Sequence, residues 1–214
     1  MNDSTNSPNS NINLDRHEHF KLKICVSGAA HIGHLPPRVH DSGKALGMAV
    51  AKQGAILITG ATTGFPFWTA MGAKEAGGMS IGLSPASSER EHVEAFKLPL
   101  DYLDLIIYTG FGYPGRDLFL TRTSDAMITG PGRIGTFHEF MVAYEDAKPM
   151  GVLESDDWET DEILKTILEK SHRPVEHIIF DKDPDRLVAR IIEMVKKSKI
   201  NDTPYEKVFQ SAAG

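Results

Sequence analysis

The chain has 214 residues, of which 41% are apolar and 24% charged, and its formal net charge is −6. This length accommodates one α/β domain with a sizeable core. The negative charge, which no cluster of Lys and Arg offsets, argues against a nucleic-acid-binding protein, since the phosphate backbone requires a basic face. A small ligand, whose charge is met by local backbone groups, is therefore the expected partner.

The chain carries a single cysteine, Cys25, which excludes an intrachain disulfide. Residues 1–20 are rich in Asn, Ser, Asp and His and lack the apolar core of a signal peptide, so we expect a disordered polar tail. No stretch is long enough to span a membrane. We expect a cytoplasmic protein with no membrane partner, one folded domain at 21–200 and a peripheral C-terminal tail at 201–214.

Apolar runs and amphipathic segments alternate along the folded region. The runs predict strands, in chain order, at Lys23–Ser27, Ala55–Thr59, Met79–Leu83, Leu103–Tyr108, Ala126–Thr129, Met150–Leu153 and His177–Phe180. The segments between them predict helices at Pro36–Gln53, Phe65–Ala76, Leu118–Thr123, Phe137–Glu145, Asp161–Lys170 and Asp185–Lys197. Strands that alternate with helices predict an α/β fold with a Rossmann-like, doubly wound parallel sheet in a single domain.

Glycine-rich loops follow several of these strands. They are Ser27–Ala30, Thr59–Gly64, Thr109–Gly115 and the segment Gly130–Glu139. In a doubly wound sheet the carboxyl ends of the strands share the edge where ligands bind. Turn chemistry alone accounts for one or two such loops, so the set predicts a nucleotide-type pocket.

The segment Gly110–Gly115 matches the dinucleotide pattern G-x-G-x-x-G. A dinucleotide site also needs an acid at the end of the next strand, to hold the ribose hydroxyls. That strand ends in Thr129-Gly130, and Pro114 stands where the helix should begin. We therefore interpret the match as accidental.

The segment Gly130–Glu139 is the most informative part of the chain. A strand ends in a glycine-rich turn that leads into a helix, which presents unpaired N–H groups and a positive dipole end to a phosphate. Thr136 and Glu139, three residues apart, also satisfy the capping-box pattern, so an ordinary helix start is the alternative.

From Pro131 to Glu139 the chain resembles the LOG ("lonely guy") family, whose motif is P-G-G-x-G-T-x-x-E. The resemblance extends from Lys23 to about Leu153. It implies a Rossmann-like phosphoribohydrolase that releases the base from a nucleoside 5′-monophosphate. Arg116 matches the family's catalytic arginine and Glu139 its catalytic glutamate. Relatives of this fold also include nucleotide-sensing domains and proteins proposed to carry molybdenum cofactor.

The resemblance and the loop chemistry together define the candidate site. We expect Arg116 and Glu139 to be catalytic, Glu139 as the acid–base or charge-stabilising group and Arg116 as its orienting or phosphate-holding partner. A solvated arginine at a helix start is the alternative for Arg116, and turn threonines are the alternative for Thr62 and Thr63. The expected phosphate-binding residues are Gly28, Gly60, Thr62, Thr63, Gly64, Gly132, Arg133, Gly135 and Thr136.

Three features depart from the family pattern. Arg133 replaces the second glycine of P-G-G, Asp117 stands where a basic or amide residue is usual, and Phe65–Trp68 replaces a tighter helix start. These departures concern substrate and activity rather than fold. The alternative function is therefore a non-catalytic nucleotide- or cofactor-binding sensor or carrier.

The resemblance implies hydrolysis of an AMP-like monophosphate to free base and ribose 5-phosphate, with no cofactor and no metal. The pair His31 and His34 lacks a third ligand and is weak evidence for a metal site. We expect a homodimer, as is typical of the family, in which apolar residues around the pocket contact the partner. The candidate contacts are Phe65, Phe67, Trp68, Phe119, Phe137 and Phe140.

Overall fold

The computed structural model describes residues 21–33 and 35–201. The strands are β1 Lys23–Ser27, β2 Ile56–Thr59, β3 Ser80–Ser84, β4 Leu105–Tyr108, β5 Ala126–Thr129, β6 Met150–Leu153 and β7 Ile178–Asp181. The helices are α1 Val39–Lys52, α2 Phe65–Glu75, α3 Gly112–Arg122, α4 Ile134–Glu145, α5 Thr160–Ser171 and α6 Pro184–Asn201, with a π-helical turn at Glu91–Ala95. None of the helices in this part of the chain has the length and apolar character needed to cross a membrane.

The strands form one parallel sheet in the order β4-β3-β2-β1-β5-β6-β7. The first strand, β1, lies in the middle of the sheet. Strands β2, β3 and β4 follow in order on one side of β1, and β5, β6 and β7 follow in order on the other side. The direction of winding therefore reverses between β1 and β5, and this switch point leaves a crevice at the carboxyl ends of these strands. The predicted single-domain, doubly wound α/β fold is confirmed.

The five inner strands bury both faces, as expected of a parallel sheet, whereas Leu105 and Ile107 of the edge strand β4 are 53% and 47% exposed. Alternate residues of β1 point to opposite faces, so Ile24 and Val26 join one core and Cys25 the other. The first core packs α1, α2 and α6 against the sheet, and the second packs α3, α4 and α5. The predicted burial of Cys25 is confirmed, since the residue has no exposed surface.

Three helix starts differ from prediction by three residues or more. Helix α1 starts at Val39, after Pro36-Pro37, and α4 starts three residues before the predicted Phe137. Helix α3 starts at Gly112, six residues before the predicted Leu118, with Pro114 in its first turn. Proline is tolerated there because the first-turn N–H groups have no intrahelical partner. The argument that Pro114 excludes a helix start was therefore wrong, while the missing acid at the end of β5 still stands against a dinucleotide site.

The predicted polar tail at 1–20 and residues 202–214 of the predicted C-terminal tail lie outside the described residues. Two of the aromatic residues predicted to contact a partner, Phe65 and Phe140, are fully buried in the cores of this chain. They are therefore unavailable to a second subunit. Phe119 remains 45% exposed and keeps that prediction open.

Candidate functional site

The loops that follow β1, β2 and β5 converge at the switch point. Backbone hydrogen bonds join them: Ala29 N–H donates to the Pro131 carbonyl (2.6 Å), and Phe65 N–H donates to the Ala29 carbonyl (2.9 Å). The three loops and the first turns of α3 and α4 enclose a cavity of about 220 Å³. We call it the first cavity.

Most of the residues predicted for the site line the first cavity. These are Gly28, Gly60, Thr62, Arg116, Arg133, Gly135, Thr136 and Glu139. Three others hold the loops together instead. Thr63 donates its hydroxyl to the Ala30 carbonyl (2.9 Å), and Gly64, at φ +72°, approaches the carbonyls of Ala29 and Ala30 too closely for any side chain. Gly132 donates its N–H to Thr160 Oγ1 (2.8 Å), so that N–H is not available to a ligand.

Helix α4 points its N-terminus into the first cavity. Its N-cap residue, Arg133, makes no side-chain capping bond, and Gly135 and Thr136 of the first turn line the cavity. The capping-box interpretation is wrong, because Thr136 is the third helical residue rather than the N-cap. The first-turn N–H groups have no intrahelical partner and carry the positive end of the helix dipole, which suits an anion.

Arg133 fits without strain where the resembling family has glycine. Its backbone is extended, at φ −130° and ψ −151°, a conformation open to any residue. The side chain is exposed and lies on the wall of the first cavity. The substitution therefore adds a cation to the anion-binding end of the cavity.

Arg116 and Glu139 form a buried pair at the base of the first cavity. Arg116 Nη1 lies 3.5 Å from Glu139 Oε1, and the two side chains are only 6% and 9% exposed. Ser27 donates its hydroxyl to Glu139 Oε2. Gly60 is required beneath Arg116, since a Cβ at residue 60 would overlap the guanidinium. Four elements, β1, the β2 loop, α3 and α4, thus position one carboxyl group and one guanidinium.

Asp117 extends this pair toward the surface. Its Oδ1 lies 3.3 Å from Arg116 Nε, and its Oδ2 lies 2.8 Å from Nδ1 of His138, which is 45% exposed. Asp117 itself is almost fully buried. The Arg116 guanidinium therefore lies between the carboxyl groups of Glu139 and Asp117. The Asp117 carboxyl group also contacts the imidazole of His138, which is partly exposed to solvent.

The pKa of Glu139 is raised to about 7. Burial away from water is the main cause, and the nearby Asp117 carboxylate adds to it. The Arg116 charge and the Ser27 hydrogen bond act in the opposite direction but do not cancel the effect. A carboxyl group that titrates near neutral pH can either give or take a proton, as acid–base catalysis requires.

Sequence reasoning missed Ser27, Asp117 and His138 as members of this group. Ser27 ends a parallel strand at the ligand edge, which is a usable signal. His138 follows the helix residue Phe137 and precedes Glu139, but its side-chain contact is with Asp117 of α3. Only the packing of α3 against α4 brings those two side chains together, so no local pattern could indicate it.

No group of three metal-ligating side chains occurs among residues 21–33 and 35–201. His34, half of the weak candidate pair, lies outside the described residues. His31 lines the first cavity. The described site therefore offers donors for an anion rather than a ligand set for a metal.

Comparison with solved structures supports the fold assignment. The molybdenum cofactor binding protein of Rippkaea orientalis matches at a TM-score of 0.67 and 24% identity, over 83% of this chain and 99% of that one. A molybdenum cofactor carrier protein of Chlamydomonas reinhardtii matches at 0.64 and 26%, with the same coverage. The single-stranded-DNA-binding DNA processing protein A of Helicobacter pylori matches at 0.57 and 17%, over 80% of each chain. The first and the last of these likenesses, at 24% and 17% identity, show the fold alone, and the fold by itself does not decide the ligand.

Sequence comparison gives one relative and one family. An uncharacterized protein of Archaeoglobus fulgidus is 26% identical over 132 residues, which are 62% of this chain and 82% of that protein. A model of the SLOG cluster4 family matches residues 21–188. That match covers the whole sheet and the first cavity, and with the structural neighbours it supports the broad SLOG assignment rather than LOG membership in particular. The chain belongs to the SLOG cluster4 family.

Proposed function

We propose that this protein binds a phosphate-bearing heterocyclic small molecule, a nucleotide or a pterin cofactor, with its phosphate in the first cavity. Arg116 carries the proposal. Its guanidinium is buried, yet its contacts with Asp117 and Glu139 are 3.3 and 3.5 Å, and Nε has no hydrogen-bond partner among the described residues. A buried guanidinium that its two carboxylates approach only at these distances can donate shorter, charge-assisted hydrogen bonds to an anion in the cavity that it lines.

The surroundings of Arg116 suit a phosphate group. The open N–H groups at the start of α4, the Thr136 hydroxyl and the Arg133 cation all lie on the same cavity wall. Phosphate oxygens accept hydrogen bonds from all three kinds of donor. The net charge of −6 then matters little for affinity, because local groups meet the ligand charge.

The carrier proteins of similar structure make molybdenum cofactor a specific candidate cargo. It is a pterin with a terminal phosphate, and the phosphate end fits the start of α4. The described residues contain no cluster of metal ligands, so the chain would hold such a cargo by its phosphate and ring rather than through molybdenum. The residues that line the first cavity support binding more directly than they support a reaction.

Binding is tested by isothermal titration calorimetry with inorganic phosphate, ribose 5-phosphate and AMP. We expect ribose 5-phosphate and AMP to bind, and Arg133→Ala to weaken both about tenfold, since a charge-assisted contact is lost. Arg90→Ala is the matched control, because Arg90 is an exposed arginine whose ion-pair partner is Glu94 on its own segment. Wild-type protein that binds none of the three ligands would refute the proposal.

Hydrolysis of the N-glycosidic bond is a second candidate, favoured by the pKa of about 7 at Glu139. In this reaction a water molecule adds its hydroxyl to C1′ of the ribose, and the departing base receives the proton. Glu139 would activate the water or stabilise the developing positive charge on the sugar. This is the activity that the resemblance to the LOG family implies.

Chromatography of AMP incubated with the protein tests hydrolysis. We expect free adenine from wild-type protein and a loss of on the order of a hundredfold or more in Glu139→Gln, with binding nearly unchanged. Calorimetry on the same samples separates the two functions. Protein that binds AMP and releases no adenine is a binder, in keeping with the carrier role.

A further inference from the structure

A second cavity, of about 510 Å³, lies beside the first one. The two share Ala30 and His31 of the loop after β1, so they adjoin along that loop. Phe67 and Trp68 of α2 form its apolar side, and Asp101, just before β4, contributes a carboxylate. None of these three residues has a role in the phosphate site.

The aromatic side of the second cavity is held in place by neighbouring rings. The Trp68 ring stacks on His40 at 4.4 Å between centroids and meets Phe67 edge-on at 5.3 Å. Phe67 in turn meets Tyr102 edge-on at 5.2 Å. Rings fixed in this way lose little conformational freedom when a ligand arrives, and aromatic surfaces favour planar heterocycles through stacking.

The carboxylate of Asp101 gives the second cavity a preference among heterocycles. A carboxylate can accept two parallel hydrogen bonds from adjacent N–H donors. Guanine and pterins share an edge that offers such a pair, a ring N–H next to an exocyclic amino group. Adenine has no ring N–H beside its amino group, so it cannot make the paired contact.

The two cavities are complementary in charge to one ligand. The first offers cations and helix N–H groups through Arg116, Arg133 and the start of α4, while the second offers aromatic rings and Asp101. A molecule with a phosphate at one end and N–H donors on a planar ring at the other matches this order. We propose that the second cavity is a ring-binding subsite for guanine or a pterin whose phosphate lies in the first cavity. This inference rests on the proposed function.

Trp68 provides a direct probe of the subsite. The chain has two tryptophans, and the other, Trp158, is buried in the core with its Nε1–H bonded to the Leu153 carbonyl. In a Trp158→Phe background, whose folding is checked by its melting curve, Trp68 is the sole emitter. We expect GMP and a pterin monophosphate to quench it, and ribose 5-phosphate to leave it unchanged. Wild-type calorimetry gives the affinities independently if that variant folds poorly.

The affinities decide the ring preference. We expect GMP or the pterin monophosphate to bind at least about tenfold tighter than AMP, and the tighter of the two identifies the source of the ring. Asp101→Asn should reduce that preference to within about twofold and leave ribose 5-phosphate binding unchanged. Asp185→Asn, at an exposed acid on α6, is the matched control.

Three outcomes overturn the inference. If ribose 5-phosphate binds as tightly as GMP and the pterin monophosphate, the proposed ring subsite is refuted while the proposed phosphate site stands. Failure of every ligand to bind would remove both proposals. Emission of Trp68 that changes with protein concentration, and not with ligand, would show that a second copy of the chain covers the cavity.

Discussion

Replacing Glu139 by glutamine should stabilise the protein at alkaline pH and leave its stability unchanged at acid pH. The carboxyl group has a pKa of about 7 in the folded chain, against an ordinary value of 4.5. Between these two pH values the folded state holds one proton that the unfolded state has lost. The free energy of unfolding therefore decreases as the pH rises through this window, and glutamine, which does not titrate, removes the decrease.

The size of the effect follows from the difference between the two pKa values. A separation of about 2.5 units corresponds to about 3 kcal/mol, at roughly 1.4 kcal/mol for each unit. Wild-type protein retains all of this stability below pH 4.5 and has lost most of it by pH 8. For a domain of this size, about 3 kcal/mol corresponds to a shift of on the order of 10 °C in the melting temperature.

The assay is urea unfolding of both proteins at pH 5, 6, 7 and 8. The gap between the variant and wild type should open steadily toward pH 8. Glu145→Gln is the matched control, because Glu145 is an exposed acid of the same helix, paired with Arg173, and should give a nearly constant difference. Curves for Glu139→Gln that run parallel to wild type would refute the reasoning, since the buried carboxyl would then not titrate abnormally.

Two further predictions concern the site and the assembly. Gly60→Ala should displace Arg116 while preserving the fold, because the atoms that the new Cβ would overlap belong to the flexible end of the Arg116 side chain. Calorimetry should then show that ribose 5-phosphate binds at least about tenfold more weakly. An unchanged affinity would contradict the placement of Arg116 in the site. A homodimer should form through the exposed apolar face of α3, where Leu118 and Phe119 are 40% and 45% exposed. Phe119→Glu should therefore shift the mass measured by light scattering from that of a dimer to that of a monomer. A wild-type protein that is monomeric at micromolar concentration would count against the dimer.

The order of strands and helices could be predicted from the sequence because local patterns determine it. Six strands lie within one residue of their predicted bounds or match them, and β1, β5 and β6 match in full. Helix starts were less accurate at α1, α3 and α4, where proline and glycine are compatible with more than one starting residue. Arg116 and Glu139 were predicted from the motif that resembles a known family.

Tertiary packing decided what surrounds those two residues. Ser27, Asp117 and His138 come to Arg116 and Glu139 from β1, α3 and α4, and this group is assembled only when the sheet winds in both directions from β1. The raised pKa of Glu139 depends on the burial that results. Sequence alone therefore determined which chemical groups are available, and the folded structure determined their desolvation and contacts, because both depend on residues far apart in the chain.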